Sequence, residues 1–282
     1  MTAILAGLGA AVLWATSTLS TSRSTRLVTP TSVLATVMVI GAVTMAPFAL
    51  GGGVPEALGG RELLWLGLSG IANVAGLLLA YTSLRVGKVG ITAPITSAQG
   101  AAAALIAVLA GETLAPGTGL MLGVIVVGVV LASMSRSDED AERGGDRRGA
   151  ILAGCAALLF GLGLYTSGRM AEEVPLAWVV FVPRLVGVLV FTLPMLALGR
   201  VRMTRAAIPF VLLSGLCEIS GLLLFNVGAR ESIAVTAIVS SQFAALAAAG
   251  AYVLFGERLY RIQVAGVTAI VVGVAVLTGL QA

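Results

Sequence analysis

Long apolar runs alternate with short polar clusters along the whole chain. The runs predict helices at 3–20, 30–50, 62–84, 90–111, 117–134, 149–169, 175–199, 205–229, 233–255 and 261–280. Each run far exceeds the roughly ten residues of a transmembrane barrel strand. Each is near the length of about 20 apolar residues that carries a helix across hydrocarbon. The pattern predicts an all-α polytopic membrane protein with ten transmembrane helices. The first run lacks a basic leader and has a counterpart later in the chain, so it is expected to be a real span rather than a signal peptide. The longest polar interval, SRSDEDAERGGDRR at 135–148, predicts a solvated linker between residues 1–134 and 149–282.

The two sides of that linker resemble each other. AILAG occurs at Ala3–Gly7 and again at Ala150–Gly154. IVVGV at Ile125–Val129 returns at Ile270–Val274, an offset of 145. At the same offset GLLL at Gly76–Leu79 matches Gly221–Leu224, Arg85 matches Arg230 and Pro30 matches Pro175. Glu112 in GETL likewise matches Glu257 in GERL. The pattern predicts a duplicated five-helix unit. Five crossings leave the chain on the opposite side, so the second unit is expected to insert upside down. Inverted repeats place a central site at the repeat interface and allow alternating access.

Composition narrows the chemistry. Hydrophobic residues make up 58% of the chain and charged residues 11%, with a mean hydropathy of +1.05. Soluble domains carry about 25% charge, so a soluble globular protein is excluded. With no histidine, there is no imidazole base, His-metal site or Ser-His-Asp triad. Cys155 and Cys217 lie in apolar runs, match no zinc or redox spacing, and read as small core residues. No P-loop pattern is present, which argues against ATP-driven pumping. No nucleophile–base pair or metal cluster suggests an intramembrane enzyme. No catalytic residue, metal or cofactor is expected.

The net charge of +4 does not point to nucleic acid, because the basic residues fall mostly in loops. On the side shared by both termini lie Arg61, Arg169 and Arg230. The other side carries 13 basic residues, from Arg23 and Arg26 through the linker to Arg261. The positive-inside rule puts the richer side in the cytoplasm and the termini outside.

Ten helices in two repeats, GE-L ending the fourth helix of each, and Gly/Val-rich fifth helices (GVIVVGVVLAS and GVTAIVVGVAVLTG) together resemble the EamA-like branch of the drug/metabolite transporter superfamily. The likeness covers essentially the whole chain. It implies a basket of helices around a central cavity that moves small metabolites or drugs, often outward. It also implies cytoplasmic termini, against the charge count, and the loop GGGVPEALGGRE lacks the basic cluster that orientation expects.

Ionisable residues deep in hydrocarbon usually face a cavity or a partner. Two stand out: Arg184 in FVPRLVG and Glu218 in GLCEISG. Counted from the termini side, they lie roughly 12 Å and 16 Å deep on consecutive antiparallel helices. Arg184 is expected to bind an anionic group, and Glu218 an amine or the coupling proton. The competing reading is an ion pair that only fixes packing. Asn73 matches Glu218 at offset 145, and Gln99 and Gln242 sit about one-third into their spans. These amides are expected at the same centre. Trp14 and Trp178 are the aromatics expected on its wall. Pro47, Pro94, Pro183 and Pro194 each remove a backbone donor within a predicted span.

Together these readings predict a secondary active transporter, acting as an exporter. Its cargo would be a small polar or zwitterionic, amino-acid-like metabolite, moved by alternating access. The alternative is a passive channel or a membrane scaffold subunit with a structural Arg184–Glu218 pair. Expected partners are the small-molecule substrate, the lipid bilayer and protons, with no nucleic acid. A monomer or homodimer in the bacterial inner membrane is expected.

Overall fold

The computed structural model describes residues 1–110, 145–171, 173–231, 239–257 and 261–281, with isolated positions 120, 124, 127, 128, 131 and 236. The described elements are all helical: α1 (Thr2–Leu27), α2 (Pro30–Leu50), α3 (Gly60–Val86), α4 (Val89–Ser97), α5 (Gln99–Leu109) and α6 (Gly145–Ala171). Next, α7 begins as Leu176–Gly187, passes through a π-helical turn at Val188–Thr192 and ends as Leu193–Ala197. It is followed by α8 (Ile208–Ala229), α9 (Phe243–Phe255) and α10 (Arg261–Gln281). Six of these segments are long and apolar enough to cross a membrane, and shorter apolar helices accompany them. Leu5, Val43, Phe48, Leu64, Val190 and Val253 are exposed on helix surfaces, as lipid-facing side chains are. The chain is an integral, polytopic membrane protein. Most of the predicted fifth helix, the linker up to residue 144, Glu112 and Tyr260 lie outside the described residues.

Contacts between helix ends sort them into two faces. At the first face the Glu257 carboxylate, beyond α9, accepts from the Val89 and Gly90 N–H groups that begin α4, at 3.2 and 2.9 Å. Arg26 near the end of α1 lies 3.8 Å from the same carboxylate. Ser83 near the end of α3 donates to the Gly149 carbonyl in the first turns of α6, at 2.7 Å. At the opposite face the Ala3 N–H reaches Glu231 beyond α8 at 2.8 Å, and Arg230 Nε donates to the Ala171 carbonyl at 3.2 Å. The Met1 amine and the Ala3 N–H hold the Glu231 carboxyl below the usual carboxylate range. Thus α1 begins at one face and α6 at the other, and they cross in opposite directions.

Packing follows the sequence repeat. The most extensive helix pairs are α3 on α6 and α1 on α8, while α2 packs on α7 and α4 on α9. At an offset of 145 residues α1 corresponds to α6 and α3 to α8, so the first two pairs exchange into each other. The third joins α2 to its own counterpart α7, and in the fourth α4 meets α9, the counterpart of α5. Glycines allow the close approach. A Cβ at Gly76 of α3 would meet the Phe160 ring of α6 at 2.8 Å. A Cβ at its counterpart Gly221 of α8 would meet the Trp14 indole of α1 at 2.6 Å.

Several helices depart from their predicted limits. The first was expected to stop near residue 20. Instead α1 continues to Leu27. Its hydroxyls are absorbed: Thr25 donates back to the Thr21 carbonyl at 2.9 Å, and Ser17 and Thr21 bond Ser214 of α8. The fourth predicted helix is two helices, broken at Ala98 just after Pro94 and Ser97. The π-helical turn in α7 precedes Pro194, which has no N–H and whose ring would crowd the carbonyl four residues back. Cys155 is exposed rather than in the core, while Cys217 is buried.

Candidate functional site

Polar positions on α1, α3, α4, α6 and α8 converge on one cavity of about 910 Å³, counted to its open mouth. Ser17, Thr18, Thr21, Thr92, Thr96 and Ser167 put hydroxyls on its wall. Trp14, Tyr81, Phe160 and Phe243 supply aromatic surface. Trp14 is held by stacking on Phe225 at 5.9 Å between ring centres and by an edge contact with Phe243 at 6.2 Å. Its Nε1 is buried without a hydrogen-bond partner among the described residues. The Tyr81 hydroxyl sits beside Thr21 and Ser214, within the field of Glu218, without a well-formed hydrogen bond of its own.

One guanidinium organises the deepest part. Arg184 of α7 is fully buried. Its Nη1 donates to Asn73 Oδ1 of α3 at 3.0 Å, and its Nη2 donates to Glu218 Oε1 of α8 at 3.3 Å. The Met38 sulfur of α2 lies 3.9 Å from Nη1. The arginine stem passes Gly41 of α2, where a Cβ would stand 2.9 Å from Cδ. Side chain Nε has no partner among the described residues. A guanidinium only donates hydrogen bonds, so Asn73 must turn its oxygen toward Arg184 and its NH2 group elsewhere.

Of the residues singled out in the sequence, Asn73, Glu218, Gln99 and Trp14 share the cavity wall. Arg184 does not. It lies behind Asn73 and Glu218, where it pairs with one carboxylate oxygen and holds both side chains. Arg184, expected to meet an anionic group directly, thus meets its two partners and not the cavity. Trp178 packs with Phe181, Met170 and Val174 in an apolar cluster away from the wall. The reason is helical geometry: Val179 and Pro183 face the cavity, and Trp178 is turned about 100° from Val179. Gln242 stands half-buried at the turn before α9, and its neighbour Phe243 is the residue that reaches the wall. Trp65 meets Tyr165 edge-on, with ring centres 6.5 Å apart.

Sequence reasoning missed the hydroxyl lining and Phe160. The one available signal was the density of Ser and Thr at positions 16–25, which a purely apolar span would not carry. Glu257 meets Arg26 of the last turn of α1. It also caps a helix from the other half of the chain rather than its own following turn.

Comparison with known proteins agrees with this architecture. Residues 1–134 and 147–279 each match the EamA-like transporter family. No curated protein matches the chain. A solved crystal structure of a protein is similar over 99% of this chain and 97% of its own, with 21% identity and a TM-score of 0.69, a likeness of fold. With both halves matched over nearly their full length, the chain belongs to the EamA-like transporter family, within the drug/metabolite transporter superfamily.

Proposed function

We propose that the protein is a secondary active transporter that moves a small polar metabolite by alternating access around the central cavity. The carrying observation is the exchange of helix pairs: α1 on α8 and α3 on α6 flank one polar cavity with opposite chain directions. In this reading the ten predicted helices form two inverted five-helix repeats, residues 1–134 and 149–282. Rocking of one repeat against the other exposes the site to each face in turn. Glu218 is the ionisable group of the wall and carries the coupling proton. Export across the inner membrane of a bacterium is the direction that the family favours. A zwitterionic cargo loses its main support, because Arg184 is enclosed.

Thiol accessibility tests the alternation. Thr18→Cys in a Cys155→Ala/Cys217→Ala background should react with a membrane-impermeant maleimide from either side of sealed vesicles. Reactivity from one face under every condition would overturn alternating access. A second reading, a scaffold or channel with a structural Arg184–Glu218 pair, draws on the full burial of Arg184. It predicts accessibility that no solute changes.

A further inference from the structure

Building on the transporter reading, we infer that the cavity selects a small protonated amine bearing an uncharged hydrogen-bond acceptor, an amino-alcohol-like cation, and rejects the matching zwitterion.

Two polar groups carry this inference. Glu218 is the one carboxylate among the described residues of the wall. Its Oε1 is occupied by Arg184, and no hydrogen bond among the described residues reaches its Oε2. That oxygen is an open carboxylate acceptor, suited to an ammonium group. Asn73 stands at the equivalent position of α3. Its oxygen is committed to Arg184, which leaves its NH2 group as a donor on the wall. The cavity therefore offers a carboxylate acceptor beside a neutral donor. A ligand that satisfies both has a cationic nitrogen and a nearby neutral oxygen. Aromatic faces of Trp14, Tyr81 and Phe243 favour the cation further.

A carboxylate fits poorly. No basic side chain lines the described wall. Arg184 lies on the far side of Glu218, so an incoming anion meets the like charge first. Desolvating it without a cationic partner is costly.

The test uses the full chain in nanodiscs at neutral pH and three probes of one shape. Phenylalaninol has the amine and a neutral oxygen, phenylalanine replaces the alcohol with a carboxylate, and 3-phenylpropanol lacks the amine. Calorimetric titration should show phenylalaninol binding at least tenfold more tightly than either other probe. Glu218→Gln should cut its advantage over 3-phenylpropanol to less than about threefold. If Glu218→Gln does not fold, the wild-type comparison decides alone. Equal or tighter binding of phenylalanine, or no binding of phenylalaninol, overturns the inference. Counterflow of phenylalanine in proteoliposomes would then leave the transporter reading standing. Failure of counterflow for both probes would count against that reading itself.

Discussion

Asn73 and Glu218, 145 residues apart at equivalent turns of α3 and α8, hold the two terminal nitrogens of the same guanidinium. One repeat contributes an amide and the other a carboxylate, and a single arginine from α7 locks the pair across the repeat interface. The position of Arg184 has no such match: its own counterpart at this offset is Val39. The repeat is thus symmetric in backbone and asymmetric in charge.

That arrangement has an energetic consequence. Glu218→Gln keeps an acceptor but leaves the buried Arg184 charge without its counter-ion, at a cost of about 3–5 kcal/mol. Removing the charge as well, in Arg184→Met/Glu218→Gln, should restore most of that loss, since apolar replacement of a buried pair is often neutral. Thermal unfolding in detergent checks this. A double variant less stable than Glu218→Gln alone would contradict it. Transport should be lost in both variants, which separates stability from function.

Glycines Gly76 and Gly221 make a paired prediction. Either alanine variant drives a methyl into a ring that lines the cavity, Phe160 or Trp14. Such overpacking typically costs about 1–3 kcal/mol. Each variant should also weaken phenylalaninol binding severalfold. A stable variant with unchanged binding would show that the rings are not part of the site.

Much of this was legible in the sequence. The repeat offset alone pairs Asn73 with Glu218, and apolar run lengths locate most helices. Arg184 and Glu218 were found because a charge in the middle of an apolar run is costly and rarely accidental. What remained hidden were facing directions. Whether Arg184 points into a cavity or behind it depends on Gly41 of another helix making room for its stem. Trp178 was misplaced for the same reason, since proximity in sequence to Arg184 does not give a shared helix face. The serine-rich end of α1 reads as loop until Ser214 of α8 is seen to take up its hydroxyls.

Glu257 ties three helix ends at the first face. Glu257→Ala strips the acceptor from two N–H groups that begin α4, and loss of a helix cap costs about 0.5–2 kcal/mol. Arg26 is half-exposed and 3.8 Å away, so Arg26→Ala should cost no more than about 1 kcal/mol. Unfolding temperatures should rank wild type and Arg26→Ala together, with Glu257→Ala lower. Equal losses in the two variants would mean that the ion pair rather than the cap matters.

At the opposite face the depressed Glu231 carboxyl sets a pH dependence. A group with a lowered folded pKa contributes stability above its unfolded value, near 4.3, and loses it as pH falls through the folded value. Wild type should therefore exceed Glu231→Gln in unfolding temperature at neutral pH. The difference should close on acidification below about pH 4. A difference that persists at lower pH would exclude the carboxylate as its source.

Counterflow in proteoliposomes tests the central claim most directly, because only a carrier with one site alternately exposed exchanges label for unlabelled solute. Vesicles loaded with unlabelled phenylalaninol should accumulate external radiolabelled phenylalaninol transiently above equilibrium. Vesicles holding folded Glu218→Gln protein should not. Label that merely equilibrates at the same rate with or without internal solute, or a Glu218→Gln variant that overshoots like wild type, would contradict the account.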